Sequence, residues 1–301
     1  MGLVQITTKY TDFTEVLKLA DVACYVAKEK GRNRIHVHYD DDEELAKRQG
    51  EMQWVNKVQD AIDENRFKIY AQLIEPLIGN ENKHYELLLR MVDEQGGIIP
   101  PGAFLPPAER YQLIVKVDMW MIKNALHIIR NNPGFLEGLS FLSINLSGQS
   151  IANNDFLTFI TENLRTLGEH SAKICFEITE TAAISNLEQA NEFINELKVL
   201  GCRFALDDFG SGLSSFGYLK NLKVDYLKID GIFVKDIASD PIDHAMVKAI
   251  NEIGQVMGMK TIAEFVETTE IKQILLTMGV DYAQGYAIHK PQPIEELFAP
   301  H

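Results

Sequence analysis

Cysteine, positive charge and long apolar runs are all scarce in this sequence of 301 residues. Its three cysteines, Cys24, Cys175 and Cys202, form no CxxC pair and have no histidine at zinc-finger spacing, which argues against a disulfide framework or a zinc finger. No apolar stretch approaches the ~20 residues of a membrane-spanning helix, and the first residues lack the pattern of a secretory signal. We therefore expect core cysteines in a reduced, cytoplasmic protein with no membrane contact by this chain, although a longer parent protein could be anchored elsewhere.

The shortage of positive charge limits the classes of partner. Lysine and arginine number 29 against 43 acidic residues, a formal net charge of −14. This excess of negative charge argues against a nucleic-acid polymer or an anionic membrane surface as partner. It is compatible with a phosphate ligand held through metal ions. The hydrophobic content of 46% is that of a soluble globular protein with one large domain or two ordinary ones.

The first 40 residues differ from the rest of the chain. Apolar residues recur at helical spacing from Leu17 to Ala27, and the alternating segment RNRIHVHY comes next. One helix and one strand are too few for a core of their own, so this piece packs on the later part of the chain or ends a domain whose body is absent. The acidic run YDDDEEL then leads into a polar helix through about Glu64, and we predict a linker helix over 41–58.

The remainder, 59–301, alternates short β-rich runs with longer helical ones. The β-rich runs are FKIYAQLI, YELLLRM, LSFLSINL, AKICFEIT, RFALDDF, VDYLKID, MKTIAEF and DYAQGYAI. Alternation over ~230 residues predicts parallel β-α units, and about eight strands predict an α/β fold with a (β/α)8-like, TIM-type barrel. Only GNENKH separates the first two runs, so we expect one antiparallel strand.

Polar residues stand at or near the ends of these predicted strands. The series is Glu86, Asn145, Glu177, Glu180, Asp207, Asp208, Lys228, Asp230, Glu264 and Gln284. In a parallel barrel such ends converge on one face. Each residue alone fits a solvated strand end, but several follow apolar residues, and buried charges must be paired or bind metal. One lysine cannot neutralise this many carboxylates, whereas two divalent cations can.

The chemistry of this set points to hard metal ions. All of the anionic ligands are oxygen donors, which favours Mg²⁺ or Mn²⁺ over Zn²⁺. Asp207 is placed to bridge two ions, with Asp208 on the second, and two such ions suit in-line displacement at phosphorus by an activated water. Lys228 would orient that water or bind a phosphate oxygen. The GSG loop after the aspartates is either a tight turn or a mobile loop that controls the ligands, and it lacks the lysine of a P-loop.

These residues also resemble a known family, the EAL-domain phosphodiesterases of the bacterial second messenger cyclic di-GMP. The resemblance covers about residues 50–298, and its motifs, in order, are ELLLR, NLS, FEITE, DDFGSG, KID, AEFVE and QG. The segment LADVACYVAKEKGRNRIHV resembles the end of a GGDEF domain, the cyclase module often found upstream. Residues 1–40 are therefore expected to be the C-terminal remnant of such a domain, without cyclase activity.

The resemblance implies hydrolysis of one phosphodiester bond of cyclic di-GMP, giving linear pGpG. It implies two Mg²⁺ or Mn²⁺ ions per site, inhibition by Ca²⁺, and a homodimer. The residues that match ligands of the first metal are Glu86, Asn145, Glu177 and Asp207. Those around the second metal are Asp207, Asp208 and Glu264.

The remaining site residues are assigned by the same resemblance. Lys228 matches the lysine that positions the nucleophilic water, and Gln284 a glutamine of the water network. Glu180 matches the glutamate that anchors the DDFGSG loop. The expected ligand contacts are Arg90 on a phosphate, together with Leu87 and Asp230.

Two departures from the family pattern concern substrate fit. The motif that names the family reads ELL here, with Leu87 in place of alanine, and Phe265 stands where glycine is common. Neither change removes a catalytic group, so the complete ligand set favours an active enzyme. One alternative is a non-catalytic receptor of cyclic di-GMP, and another is a barrel enzyme that uses Lys228 as a base beside a metal-bound enolate.

Overall fold

The computed structural model describes residues 2–4, 35–38, 43–79, 83–212 and 216–298, with Phe13, Val16, Leu17 and Ala20. Within the N-terminal segment, Gly2–Val4 (β1) pairs in parallel with His36–His38 (β2). The predicted strand near residue 36 is therefore confirmed. The predicted helix positions beyond Ala20, including Cys24 and Ala27, lie outside the described residues.

Eight strands close into the predicted barrel. They are β3 (Phe67–Pro76), β4 (Lys83–Val92), β6 (Leu139–Leu146), β7 (Ile174–Thr179), β8 (Arg203–Phe209), β9 (Tyr226–Ile229), β10 (Lys260–Ala263) and β11 (Tyr282–Ala283). Two short strands, β5 (Ile98–Ile99) and β12 (Gln292–Pro293), pair with β4 and β3. Because the eight closing strands correspond to the eight β-rich runs of the sequence, the TIM-type fold is confirmed.

Helices follow the strands and form the outer layer. They are α1 (Glu43–Asp63), α2 (Pro101–Arg110), α3 (Ile114–Asn131), α4 (Pro133–Glu137), α5 (Gly148–Ile151), α6 (Asn154–Arg165), α7 (Glu180–Ser185), α8 (Leu187–Val199), α9 (Gly231–Val234), α10 (Pro241–Val256) and α11 (Thr269–Met278). Three 3-10 helices span Gly168–Lys173, Phe216–Asn221 and Ile294–Leu297. Among the described residues, no helix is long and apolar enough to cross a bilayer.

The first barrel strand is the antiparallel one. β3 pairs antiparallel with both β4 and β11, and the other closing pairs are parallel. Its register places Gln72 opposite Glu86. The predicted antiparallel strand is thus confirmed, and it brings one more polar side chain to the interior.

The barrel interior is divided along its axis. Apolar and aromatic side chains, among them Phe141, Tyr226 and Tyr282, fill the end where the parallel strands begin. Cys175 lies in the same group and Cys202 is also buried, as expected for core thiols. The polar residues predicted to converge occupy the other end, where the parallel strands finish.

The helix before the barrel continues beyond the predicted linker. α1 is a single helix from Glu43 to Asp63, which confirms the predicted polar helix through about Glu64 and runs past the predicted end of the linker at residue 58. Val58 and Ala61 are completely buried and belong to the main core. The last turns of α1 therefore pack as part of the barrel.

Candidate active site

Four of the predicted carboxylates meet around the ammonium group of Lys228. Lys228, at the end of β9, is fully buried, and its Nζ lies 2.6 Å from Glu177 Oε2, 2.8 Å from Glu264 Oε1 and 3.0 Å from Asp207 Oδ1. Glu86 Oε2 is 3.8 Å away. The carboxylates come from four different strands: Glu86 lies within β4, Glu177 and Asp207 lie two residues before the ends of β7 and β8, and Glu264 directly follows β10. The convergence predicted from the polar strand ends is what the structure shows.

The charges of this cluster do not balance. Burial lowers the pKa of Lys228, but the charges of Asp207, Glu177, Glu264 and Glu86 outweigh it and hold that pKa well above its ordinary value. Burial and neighbouring carboxylates raise the pKa of Glu177 to about 8, although Lys228 opposes the shift. The pKa of Glu264 is also raised well above its ordinary value, chiefly by burial. Full ionisation of four carboxylates around one ammonium is therefore unfavourable, and cations bound at the cluster would stabilise the charged forms.

A β-bulge explains how two adjacent aspartates serve one site. Successive residues of a strand point to opposite faces, but the β8–β9 register shifts between Leu206 and Phe209, and Asp208 has a φ of +55°. This left-handed turn lets oxygens of Asp207, Asp208 and Glu264 lie within 4.8 Å of one another. Partial burial, together with the charge of Asp207, raises the pKa of Asp208 to about 6.

The donor set fits divalent cations that prefer oxygen ligands. The side chains at the cluster are carboxylates and amides, which suit Mg²⁺ or Mn²⁺ better than Zn²⁺. Glu177 Oε1 is buried and has no hydrogen-bond partner among the described residues, and a buried oxygen of this kind is costly unless something binds it. Asp207, Asp208 and Glu264 alone supply three converging oxygens.

Two amide side chains border the cluster. Asn145 donates from Nδ2 to Glu86 Oε1 at 2.7 Å, and Gln284 donates from Nε2 to Glu86 Oε2 at 2.6 Å. Gln284 also donates to Gln72 Oε1 at 3.1 Å, and Gln72 donates to the His289 carbonyl. Gln72 was not identified from the sequence because β3 runs antiparallel to its neighbours, so the rule that parallel strands end at the site does not apply to it.

Glu180 connects the two ends of the loop after the aspartates. Its Oε2 accepts from Gly210 N at 3.1 Å and its Oε1 accepts from the Tyr218 hydroxyl at 2.6 Å. Glu180 is only 3% exposed, and burial together with Glu180 raises the pKa of Tyr218 far above its ordinary value. The Glu180 side chain thus connects Gly210 with Tyr218. These two residues lie on either side of 213–215, a segment outside the described residues. Tyr218 is a second residue that sequence reasoning missed.

A cavity of about 460 Å³ opens beside the cluster. Glu86, Glu264 and Gln284 form one side of it, and Arg90, Leu88 and Tyr286 another. Arg90 is partly buried, and its guanidinium lies over the Tyr70 ring at 5.3 Å. The volume is within the range of small-molecule sites.

Leu87 and Asp230, the other predicted ligand contacts, do not line this cavity. Glu86, Leu88 and Arg90 face the barrel interior, so alternation puts Leu87 on the outer face of β4, where it is 1% exposed. Leu87 instead borders a second cavity of about 310 Å³ between β4, β6 and helices α2 and α3. Asp230 caps α9, accepting from Ile232 N at 2.9 Å.

Phe265 forms part of the rim of the larger cavity. It is half-exposed and has a φ of +52°, an unusual conformation for an aromatic residue. Its ring lies against Gly231, where an added Cβ would be 2.0 Å from Phe265 Cδ2, and Lys235 Nζ stands 4.4 Å from the ring centroid. The departure from glycine therefore adds an aromatic wall to the cavity.

Comparison with known proteins gives one family model, described as the EAL domain, which matches residues 55–291. The chain is 42% identical over 286 residues to the cyclic di-GMP phosphodiesterase PdeB of Shewanella oneidensis, covering 95% of this chain and 33% of that protein. It is 39% identical to the cyclic di-GMP phosphodiesterase PdeA of Borreliella burgdorferi, covering 78% of this chain and 35% of that protein. The chain thus spans about a third of the length of these relatives.

Solved structures give the same picture of the barrel. The MucR phosphodiesterase in complex with c-di-GMP has a TM-score of 0.75 at 30% identity, covering 81% of this chain and 99% of that one. The EAL domain of FimX from Pseudomonas aeruginosa, bound to c-di-GMP, has a TM-score of 0.73 at 30% identity, covering 79% and 96%.

Proposed function

This chain belongs to the EAL domain family, and from that premise we propose that it hydrolyses cyclic di-GMP to linear pGpG in a metal-dependent reaction. The observation that carries the proposal is the excess of buried carboxylates around Lys228 beside a cavity of about 460 Å³. Two Mg²⁺ or Mn²⁺ ions, when bound, supply Lewis-acid stabilisation of phosphoryl oxygens and lower the pKa of water. The relatives named as cyclic di-GMP phosphodiesterases support the choice of substrate.

The metal ligands are proposed in two overlapping groups. Glu86, Asn145, Glu177 and Asp207 would hold one ion, and Asp207, Asp208 and Glu264 the other. The unpartnered Oε1 of Glu177 supports the first group, and the three converging oxygens support the second. Gln284 would keep Glu86 oriented through its 2.6 Å hydrogen bond. Mg²⁺ demands a strict octahedral geometry, whereas Ca²⁺ accepts looser coordination, so we propose that Ca²⁺ inhibits.

Lys228 and Arg90 would interact with the negative charge of the substrate. Lys228 carries a permanent positive charge inside the cluster, where it would orient the nucleophilic water and offset charge on the phosphoryl group. Arg90 lines the cavity and would bind a phosphate oxygen, a role suited to a guanidinium. Asp230, at the start of α9, would complete the ligand contacts. Leu87 lies on the outer face of β4 at the second cavity, so it would affect the ligand only through its neighbours Glu86 and Leu88.

The rest of the chain is assigned on family grounds. We propose that residues 1–40 are a GGDEF remnant, 41–58 a linker and 59–301 the phosphodiesterase domain. The match to PdeB, which covers 95% of the chain and so extends before residue 55, supports an upstream segment shared with that relative.

A homodimer is also proposed, and Ile232 and Ile242, exposed on α9 and α10, offer apolar contact surface. Light scattering at micromolar concentration should give twice the chain mass, and a monomeric mass would contradict this.

Chromatography of cyclic di-GMP after incubation with the protein tests the function. We expect pGpG with Mg²⁺ or Mn²⁺, and none with a chelator or with Ca²⁺. Binding of intact dinucleotide without cleavage under all conditions would show that the protein is a receptor and not an enzyme. The absence of both binding and cleavage would rule out cyclic di-GMP as the ligand.

Replacement of Glu180 by alanine should lower turnover much more than stability. The change frees the Gly210 N–H and the Tyr218 hydroxyl, which costs about 1–3 kcal/mol of folding free energy. The loop that follows both aspartates loses its anchor, and we expect kcat to fall roughly 100-fold. Tyr218→Phe removes only one of the two bonds and should have a smaller effect. A lower melting temperature with unchanged kinetics would reduce Glu180 to a structural role.

A further inference from the structure

One buried carboxyl group lies next to the candidate site without belonging to the cluster. Asp118, on α3, is 7% exposed. Its Oδ2 accepts from Ser147 N at 3.0 Å, from Ser147 Oγ at 2.7 Å and from Ser150 Oγ at 2.6 Å. Ser147 Oγ in turn accepts from Ser150 N, which caps α5. Three donors from the N-cap and first turn of α5 thus meet a single carboxylate oxygen of α3.

This arrangement is an expensive way to stabilise a fold. Burial raises the pKa of Asp118 to about 6, while the hydrogen bonds from Ser150 and Ser147 oppose the rise. The three hydrogen-bond donors to this carboxyl are neutral groups, so no positive charge among them compensates its burial. Burying a charge costs free energy that such bonds only partly offset, so a role other than stability is the better explanation for this residue.

The segment held by Asp118 directly follows the strand that carries a proposed metal ligand. Asn145, two residues before Ser147, reaches the cluster through its 2.7 Å hydrogen bond to Glu86. Because both the N–H and the hydroxyl of Ser147 bond to Asp118, the direction of the chain as it leaves β6 is set from α3. Asp118, Asn145 and Ser147 also line the same cavity of about 310 Å³.

From these contacts we infer that Asp118 is a positioning residue, which fixes the backbone after β6 so that Asn145 meets the carboxylate cluster in the orientation that metal binding needs. The inference rests on the proposed function, since it assumes that the cluster binds a divalent cation. Outer partners of metal ligands typically change metal affinity 10- to 100-fold when they are removed.

The test is titration of purified protein with Mn²⁺ alone, followed by calorimetry and by the electron paramagnetic resonance of free Mn²⁺. We expect Asp118→Ala to bind Mn²⁺ about tenfold more weakly, and Asp118→Asn, which keeps an acceptor oxygen, to recover part of the loss. The matched control is Asp281→Ala. Asp281 Oδ2 accepts from Thr261 N at 2.9 Å and from Thr261 Oγ1 at 3.2 Å, the same pairing at the opposite end of the barrel.

The control separates positioning from general loosening of the fold. Mn²⁺ affinity of Asp118→Ala within twofold of the parent, or an equal loss in Asp281→Ala, overturns the inference. Should Asp118→Ala fail to fold, Ser147→Ala replaces it with a smaller expected loss, because it removes the hydroxyl donor and keeps the Ser147 N–H bond to Asp118, and an unchanged affinity there overturns the inference as well. A parent protein that binds no Mn²⁺ rejects the metal site itself, whereas a parent that binds Mn²⁺ but cleaves no cyclic di-GMP leaves this test intact and rejects only the reaction.

Discussion

Asp207→Asn should reduce the hydrolysis of cyclic di-GMP at least about 1,000-fold, because the variant loses the one carboxylate proposed to serve both metal ions. The substitution keeps the volume of the side chain and removes its charge. Lys228 keeps contacts with Glu177 and Glu264 at 2.6 and 2.8 Å, so no buried ammonium is left alone. The metal-free protein should therefore stay folded, and relief of repulsion between carboxylates offsets the lost ion pair.

Two measurements define this result. Initial rates of pGpG formation give the loss of activity, and melting temperatures with and without Mg²⁺ give the loss of metal binding, since a ligand of the native state raises the melting temperature. The matched control is Asp225→Asn, an aspartate that bonds Phe204 N and Lys198 near the start of β9. Activity of Asp207→Asn comparable with that of the control would reject a bridging role.

Lys228→Met should reduce activity about as much as Asp207→Asn does, and it should reduce stability more. Methionine keeps most of the side-chain length but leaves Glu177, Asp207 and Glu264 without their shared cation. Loss of one partner of a buried ion pair costs about 3–5 kcal/mol. Turnover should fall about 1,000-fold, because neither the water nor the phosphoryl charge has its positive partner.

Mg²⁺ distinguishes the two roles of Lys228. In chelator, Lys228→Met should unfold at much lower denaturant than the parent, and Mg²⁺ should restore more of its stability than it adds to the parent, because the ions compensate the unpaired carboxylates. Activity should stay low even when Mg²⁺ has restored the fold. Recovery of near-parental turnover together with stability would mean that Lys228 is needed only for charge balance. Lys228→Arg, which keeps the charge, is the control for stability.

The sequence predicted the barrel and its polar end because both follow from local rules. Eight β-rich runs alternate with helical runs, and polar strand ends such as Glu86 and Asp207 must converge once the strands are parallel. The antiparallel β3 was predictable from the short connection before β4. The opposite orientation of Leu87 also follows from alternation, once Glu86 is placed inside.

The residues that sequence reasoning missed are those placed by tertiary contacts. Gln72 faces Glu86 only because β3 runs backwards, so a rule based on strand ends cannot find it. Tyr218 meets Glu180 across 38 residues, and Asp118 meets Ser147 across 29. Nothing in the local pattern around Tyr218 or Asp118 separates them from ordinary helix residues. The sequence does not reveal the β-bulge at Asp208 either, although two adjacent aspartates can face the same site only if the strand is irregular there.

The reversed direction of β3 also decides where the chain enters the barrel. In an all-parallel barrel the first strand begins at the face opposite the site. Here Phe67, the first residue of β3, pairs with Met91 near the end of β4, so α1 delivers the chain at the catalytic rim. A helix of 21 residues is about 30 Å long. A rotation or displacement of the last turn of α1 would therefore reach the end of the barrel that holds the carboxylate cluster directly through the start of β3, without passing through the barrel wall.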